Sequence, residues 1–302
     1  MNQPPPSNAR PAERQRVRRR RFRRLRAVAL VPTLLTLANL VCGFAAIFYA
    51  AKEVGPSKVF GWSNLTVAGT LVLLGMFFDG IDGLAARLTR SASAFGAQLD
   101  SMADMVTFGV APAFMMLRLV SHYYGPEHYT GILGPDADNE YAKIIWGVAA
   151  IYICCTALRL ARFNVEVPST EEEAHRWFRG LPSPGAAGAV TSLILLHEHL
   201  YVITYHNAAP ERFAKWSSLF IPLVTLLVAM AMVSRLRYGH VLNRWIRGRR
   251  DFAWVARVVI PIAFLAWWLQ PALAAVFVLY AISGPLGYAL GVMRLRSHGV
   301  AQ

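Results

Sequence analysis

Apolar residues in this chain come in long blocks, not in alternation or on a single helical face, and short polar stretches separate the blocks. Uncharged or nearly uncharged blocks cover 27–51, 65–88, 96–119, 144–160, 183–205, 216–233, 258–269 and 272–293. Most are long enough to cross about 30 Å of hydrocarbon as a helix. Only helices and closed barrels satisfy every backbone group in lipid, and runs this long are not barrel-like. The pattern therefore predicts an all-α fold, a polytopic membrane helical bundle of about eight transmembrane helices. The seventh block is short and Pro271 joins it to the eighth, so six or seven spans also fit. The first block lacks the small-residue cleavage site of a signal peptide.

Composition agrees: of 302 residues 55% are hydrophobic and only 16% charged, against about a quarter charged in soluble domains. A net charge of +14 invites a nucleic-acid reading, and the placement of the charges excludes it. Ten arginines fall between Arg10 and Arg26, directly before the first block. Fifteen more basic residues lie in alternate loops, from Arg87 and Arg90 through Arg159, Arg162, Arg176 and Arg179 to Arg294 and Arg296. That puts 25 of 31 on one side. This asymmetry marks a multispanning protein of a cell membrane, the bacterial inner membrane in our reading, with both termini cytoplasmic. Two regions follow: 1–26, a basic and disordered cytoplasmic tail suited to an anionic lipid surface, and 27–296, the membrane domain. Cys42, Cys154 and Cys155 match no metal or redox spacing and read as small packing residues.

Chemistry concentrates in one 26-residue stretch holding Asp79, Asp82, Asp100 and Asp104. A carboxylate in a spanning segment costs several kcal/mol unless paired, and four together also repel. Asp79, Asp82, Gly83 and Ala86 share one face at the end of the second span. Gly96, Asp100 and Asp104 share one face at the start of the third. The short connection between them sets the two helices side by side, so the four carboxylates converge at the cytoplasmic end. Hard divalent cations take such oxygens, and Mg²⁺ shares its shell with substrate phosphate. Four carboxylates exceed what one Mg²⁺ takes from protein, which favours a two-metal site. Gly80, Gly83 and Gly96 leave room for a bulky ligand. Arg87 either meets a phosphate or neutralises an aspartate. A proton or cation pathway is the rival class; against it, the charges sit at one end and no other acidic residue lies deep in a span.

The pattern D-x2-D-G-x2-A-R-x8-G-x3-D-x3-D, met at all eight fixed positions from Asp79 to Asp104, resembles the signature of the CDP-alcohol phosphatidyltransferases. The resemblance implies an integral membrane enzyme that moves a phosphatidyl group from a CDP-lipid to an alcohol and releases CMP. It implies Mg²⁺ or Mn²⁺, two ions, held by Asp79, Asp82, Asp100 and Asp104, with Asp104 also the base. Gly83, Ala86 and Gly96 would flank the nucleotide, with Arg87 at a phosphate. Family members pair as homodimers, which is the expectation here.

Three further stretches are similar to the phosphatidylserine synthase branch: 32–43, 99–113, and 159–164 with 178–187. That similarity implies CDP-diacylglycerol and L-serine as substrates and phosphatidylserine as product. A serine carboxylate at a dry site calls for a forked guanidinium, and Arg159 and Arg162 lie at the right depth, although the charge asymmetry alone also accounts for them. Asn164 and Asn39 are placed to hold polar groups of the substrate; for Asn39 a hydrogen bond between helices is the competing role. The Pro182/Pro184 loop reads as a helix entry or a substrate loop. His197 and His199 fall toward the far side, outside catalysis. A sister enzyme using glycerol 3-phosphate, inositol or choline, and a transporter, are the alternative functions.

Overall fold

A computed structural model describes residues 11–53, 57, 59–89, 94–124, 132–137, 139–165, 177–200, 211–239 and 269–299. The expected span at 258–269 lies, except for its last residue, outside the described residues. The chain order is α1 (Pro11–Ala51), α2 (Asn64–Thr89), α3 (Ala94–Asp104), a π-helical segment (Met105–Val110) and α4 (Ala111–Tyr124). Then come α5 (Glu140–Val165), β1 (Trp177–Arg179), α6 (Ser183–His199), α7 (Glu211–Val233), β2 (Arg237–Gly239) and α8 (Leu269–Gly299).

The fold is an all-α membrane bundle. Among the described residues six helical segments are long and apolar enough to cross a bilayer: Val31–Ala51, Asn64–Ala85, Ala94–Tyr123, Glu140–Val165, Trp216–Val233 and Leu269–Ala289. At 17 residues α6 stands at the lower limit of length for a span, and nearly all of it is buried, from Ser183 to Glu198. Helices with this composition cannot be held by hydrophobic exclusion once in lipid, so close backbone approach and polar contacts take over. Small residues make that approach possible. A Cβ on Gly69 of α2 would stand 2.8 Å from Leu195 of α6, and one on Gly188 of α6 would stand 2.3 Å from the Phe277 ring of α8. The small-residue faces around Gly69, Gly75, Gly185 and Gly188 thus pack within one chain.

One polar feature lies outside the helices. β1 and β2 form an antiparallel ribbon that pairs Trp177 with Gly239 and Arg179 with Arg237. Gly180 turns the chain out of β1 at φ +79°, and a Cβ there would meet the Met232 carbonyl at 2.3 Å. Its N–H donates to the Leu236 carbonyl at 2.8 Å, and Leu181 N–H donates to the Ala231 carbonyl at 3.1 Å. Pro182 then caps α6, with Pro184 in its first turn, where a missing N–H costs nothing. The ribbon and the starts and ends of α2, α3, α5, α6 and α7 gather at the end of the bundle that carries the aspartates.

At the opposite end charged residues are buried. Arg118 of α4 is 5% exposed and donates from Nε to the Lys52 carbonyl at 3.2 Å. Glu198, 3% exposed, is buried at the far end of α6. That end of α6 lies away from the aspartates. His197 lies beside Glu198, bonded through Nδ1 to Ser217 Oγ at 2.7 Å and packed edge-on against Tyr123.

Candidate active site

The helical spacing of the aspartates works as the sequence suggests, with one refinement. Asp79 and Asp82 near the end of α2 and Asp100 in α3 bring one carboxylate oxygen each to within 4.8 Å of one another. Asp104, one turn further along α3, stands outside that group. It is buried, and its Oδ1 accepts a hydrogen bond from Asn39 Nδ2 of α1 at 3.1 Å. Asp82 accepts one from Thr36 Oγ1, also of α1, at 2.8 Å. Helix α1 therefore supplies a hydrogen bond to each of Asp82 and Asp104.

Why does α1 come so close? The π segment begins immediately after Asp104, with the Ala111 N–H reaching back to the Val106 carbonyl. The wider turn pushes Thr107 into α1, where its Oγ1 donates to the Asn39 carbonyl at 2.9 Å. Two glycines receive it. A Cβ on Gly43 would lie 2.4 Å from Thr107 Oγ1, and one on Gly75 would lie 2.7 Å from Thr107 Cγ2 and 2.8 Å from Asn39 Oδ1. Turns of this kind are rare and concentrate at functional sites.

Three carboxylates this close repel. At an effective dielectric constant of about 20, each pair costs about 3 kcal/mol. One oxygen of Asp100, Oδ1, is buried and has no hydrogen-bond partner, which costs further free energy. A hard divalent cation relieves both, since it takes carboxylate oxygens as ligands. The donor set is all oxygen, which fits Mg²⁺ or Mn²⁺ and not a thiolate metal. Around the cluster the α2 surface is open: a Cβ on Gly80 or Gly83 would meet no atom within 4 Å. Gly96 lies partly exposed near the start of α3. The side chains of Ala86 and Arg87, expected at the nucleotide, lie outside the described part of α2.

The remaining expected residues divide. Arg159, on α5, feels the charges of Asp104 and Asp79 and belongs with the aspartates. Asn164 is at the exposed end of α5, donating from Nδ2 to Ser101 Oγ of α3 at 2.9 Å, next to Asp100. Arg162 faces the end of α7 and donates to the Val233 carbonyl at 3.4 Å. The sequence does not mark Thr36, Thr107 or Ser183 as site residues; all three fall inside the stretches 32–43, 99–113 and 178–187, and a hydroxyl in an oily run is the signal that could find them.

Asn39→Leu tests the α1 contribution. It keeps the side-chain volume and removes the donor to Asp104. Turnover should fall about 10- to 100-fold, the usual cost of losing a partner that orients a site carboxylate. Unchanged kcat in a CMP-release assay would show that Asp104 needs no help from α1.

Comparison with known proteins fits this geometry. A family model described as CDP-alcohol phosphatidyltransferase matches residues 29–233. The chain is 30% identical over 211 residues to a Helicobacter pylori protein named CDP-diacylglycerol–serine O-phosphatidyltransferase, covering 70% of this chain and 72% of that one. A Bacillus subtilis protein of the same name is 34% identical over 156 residues, 52% of this chain and 70% of its own. One from Methanocaldococcus jannaschii is 27% identical over 221 residues, 73% and 79% of the two chains. With the aspartate cluster in place and the match spanning α1 to α7, this chain is a membrane-embedded phosphotransferase of phospholipid biosynthesis and belongs to the CDP-alcohol phosphatidyltransferase family.

Proposed function

We propose that the chain transfers the phosphatidyl group of CDP-diacylglycerol to the hydroxyl of L-serine, giving phosphatidylserine and CMP. The observation that carries this reading is the close grouping of Asp79, Asp82 and Asp100 beside Arg159, a guanidinium on the same site. The names of the relatives from three organisms support the choice of serine.

Asp79, Asp82 and Asp100 would hold the divalent metal, with Asp104 as a further carboxylate ligand. When bound, the metal would neutralise charge on the diphosphate and improve CMP as a leaving group. Asp104 is the base. With Oδ1 engaged by Asn39, its other oxygen takes the proton of the serine hydroxyl. The hydroxyl oxygen then forms a bond to the phosphorus that bears diacylglycerol, and the bond from that phosphorus to the CMP oxygen breaks. Arg159 receives the serine carboxylate, where a fork-shaped donor matches two oxygens. Arg162 and Asn164 line the rim on the acceptor side, and Gly83, Ala86, Arg87 and Gly96 flank the nucleotide. The site opens to the cytoplasm of a bacterial inner membrane, where CDP-lipid arrives sideways between helices and the enzyme works as a homodimer.

The direct test supplies purified enzyme with CDP-diacylglycerol, Mg²⁺ or Mn²⁺, and radiolabelled serine. Label should enter lipid as CMP appears. Label entering only from glycerol 3-phosphate or inositol would replace serine while keeping the reaction class. Ion flux in liposomes without CMP release would overturn the enzyme reading altogether.

A further inference from the structure

Arg159 is held in a way that a merely topological arginine does not need. Its Nη1 donates to Ser183 Oγ across the gap between α5 and α6. Ser183 is fully buried and is the first residue of α6. Arg159 Nε is buried with no acceptor. Among the described residues the guanidinium makes no ion pair within 4.0 Å, although Asp104 and Asp79 are among the charges acting most strongly on it. A buried arginine beside carboxylates ordinarily closes onto one of them, because an unmet donor in a dry site is costly. Here a neutral hydroxyl occupies one corner of the fork and its remaining donors stay available.

The position of Ser183 is itself built. Gly180 turns the chain at φ +79° against the Met232 carbonyl, and Pro182 starts α6. Two residues further along α6, the Tyr280 ring of α8 fills the space that Gly185 leaves, where a Cβ would stand 2.8 Å from Tyr280 Cε1. Its own place is fixed by Tyr238 of the ribbon, whose ring lies 5.9 Å away and whose hydroxyl donates to the Ala281 carbonyl at 3.1 Å. The last helix, which carries no motif, thereby packs against the start of α6 and the ribbon.

We propose that Ser183 is a positioning residue for acceptor recognition. It keeps the Arg159 fork drawn back from Asp79 and Asp104, with the edge that carries Nε open to the carboxylate of the acceptor. The inference rests on the serine reading of the site and adds the residue that keeps its recognition group free. Without the Ser183 hydroxyl, Arg159 turns to the aspartates and the acceptor anion loses its partner. Chemistry at the phosphorus is unchanged, because Ser183 acts through Arg159.

The test is initial rates of CMP release from CDP-diacylglycerol in mixed micelles, with serine and with ethanolamine, which is serine without its carboxylate. Ser183→Ala should raise the serine KM about tenfold, the usual worth of a hydrogen bond to a charged group. It should leave kcat and the CDP-diacylglycerol KM within about twofold, and cut the preference for serine over ethanolamine about tenfold. Ser183→Thr, which keeps the hydroxyl, should restore the serine KM. In an Arg159→Lys background, where the fork is gone, Ser183→Ala should add less than twofold. If Ser183→Ala does not fold, Ser183→Cys, of similar volume and with a weak acceptor, should show the same KM shift. Equal losses with both acceptors, a fall in kcat at constant KM, or additivity with Arg159→Lys would overturn the proposal. A wild-type enzyme inactive with serine would defeat the acceptor reading instead. Ser183→Ala is then measured with glycerol 3-phosphate, where the same KM shift sustains the positioning role, and activity with an uncharged acceptor alone removes it.

Discussion

Asp100→Asn is expected to lower CMP release by about 10³-fold while leaving the protein folded. The substitution replaces one charged oxygen of the three that lie within 4.8 Å with an amide that ligates a hard cation poorly. Removing one ligand from a cation that stabilises charge in phosphoryl transfer costs several kcal/mol, and about 4 kcal/mol corresponds to a thousandfold. The same change relieves repulsion with Asp79 and Asp82, so the metal-free protein should become more stable, not less. Two measurements separate the effects: CMP release at saturating substrate, and melting temperature with and without Mn²⁺. Wild-type enzyme should melt higher with Mn²⁺, whereas Asp100→Asn should start higher and gain little. Full activity in this variant, or an undiminished response to Mn²⁺, would remove the metal site from the mechanism.

Gly43→Ala carries the second large effect, and it acts through packing alone. The added methyl would stand 2.4 Å from Thr107 Oγ1 and 2.8 and 2.9 Å from the Thr107 Cα and N. Because two of those atoms are backbone, no rotamer change relieves the contact and α1 must move away from the π segment. Overpacking of this kind costs about 1–3 kcal/mol. Asn39 lies one turn before Gly43 on the same face, so the shift also loosens its bond to Asp104. Activity should therefore fall further than the drop in melting temperature alone accounts for. Gly147→Ala is the control: no atom lies within 4 Å of its Cβ position in α5, and alanine is the better helix former by about 0.5–1 kcal/mol. A Gly43→Ala variant as active and stable as Gly147→Ala would mean that α1 and the π segment do not pack as described.

How much of this was readable from residues alone depends on the range of the interaction involved. Asp79 and Asp82 are three apart and Asp100 and Asp104 four apart, and helical geometry places each pair on one face before any tertiary contact forms. A connection too short to let the two helices diverge then brings Asp79, Asp82 and Asp100 together. Long uncharged runs fix the helical class for the same reason, since lipid leaves the backbone no other partner. Gly69 and Gly188 could be marked as contact residues, but not their partners. Leu195 and Phe277 are 126 and 89 positions away along the chain.

The sequence by itself determined the class of fold, the end of the bundle that bears the chemistry, and the acidic oxygens offered to a cation, because each depends on periodicity, run length or short-range spacing. Tertiary structure decided the rest. It set Asp104 apart under Asn39, widened the helix after it so that Thr107 could lock α1 in place, buried Glu198 at the opposite end, and held Arg159 on Ser183. These choices pair residues from different helices. Hydrogen bonds and small-residue contacts between helices have no periodic trace in a single chain; they exist only once the helices pack.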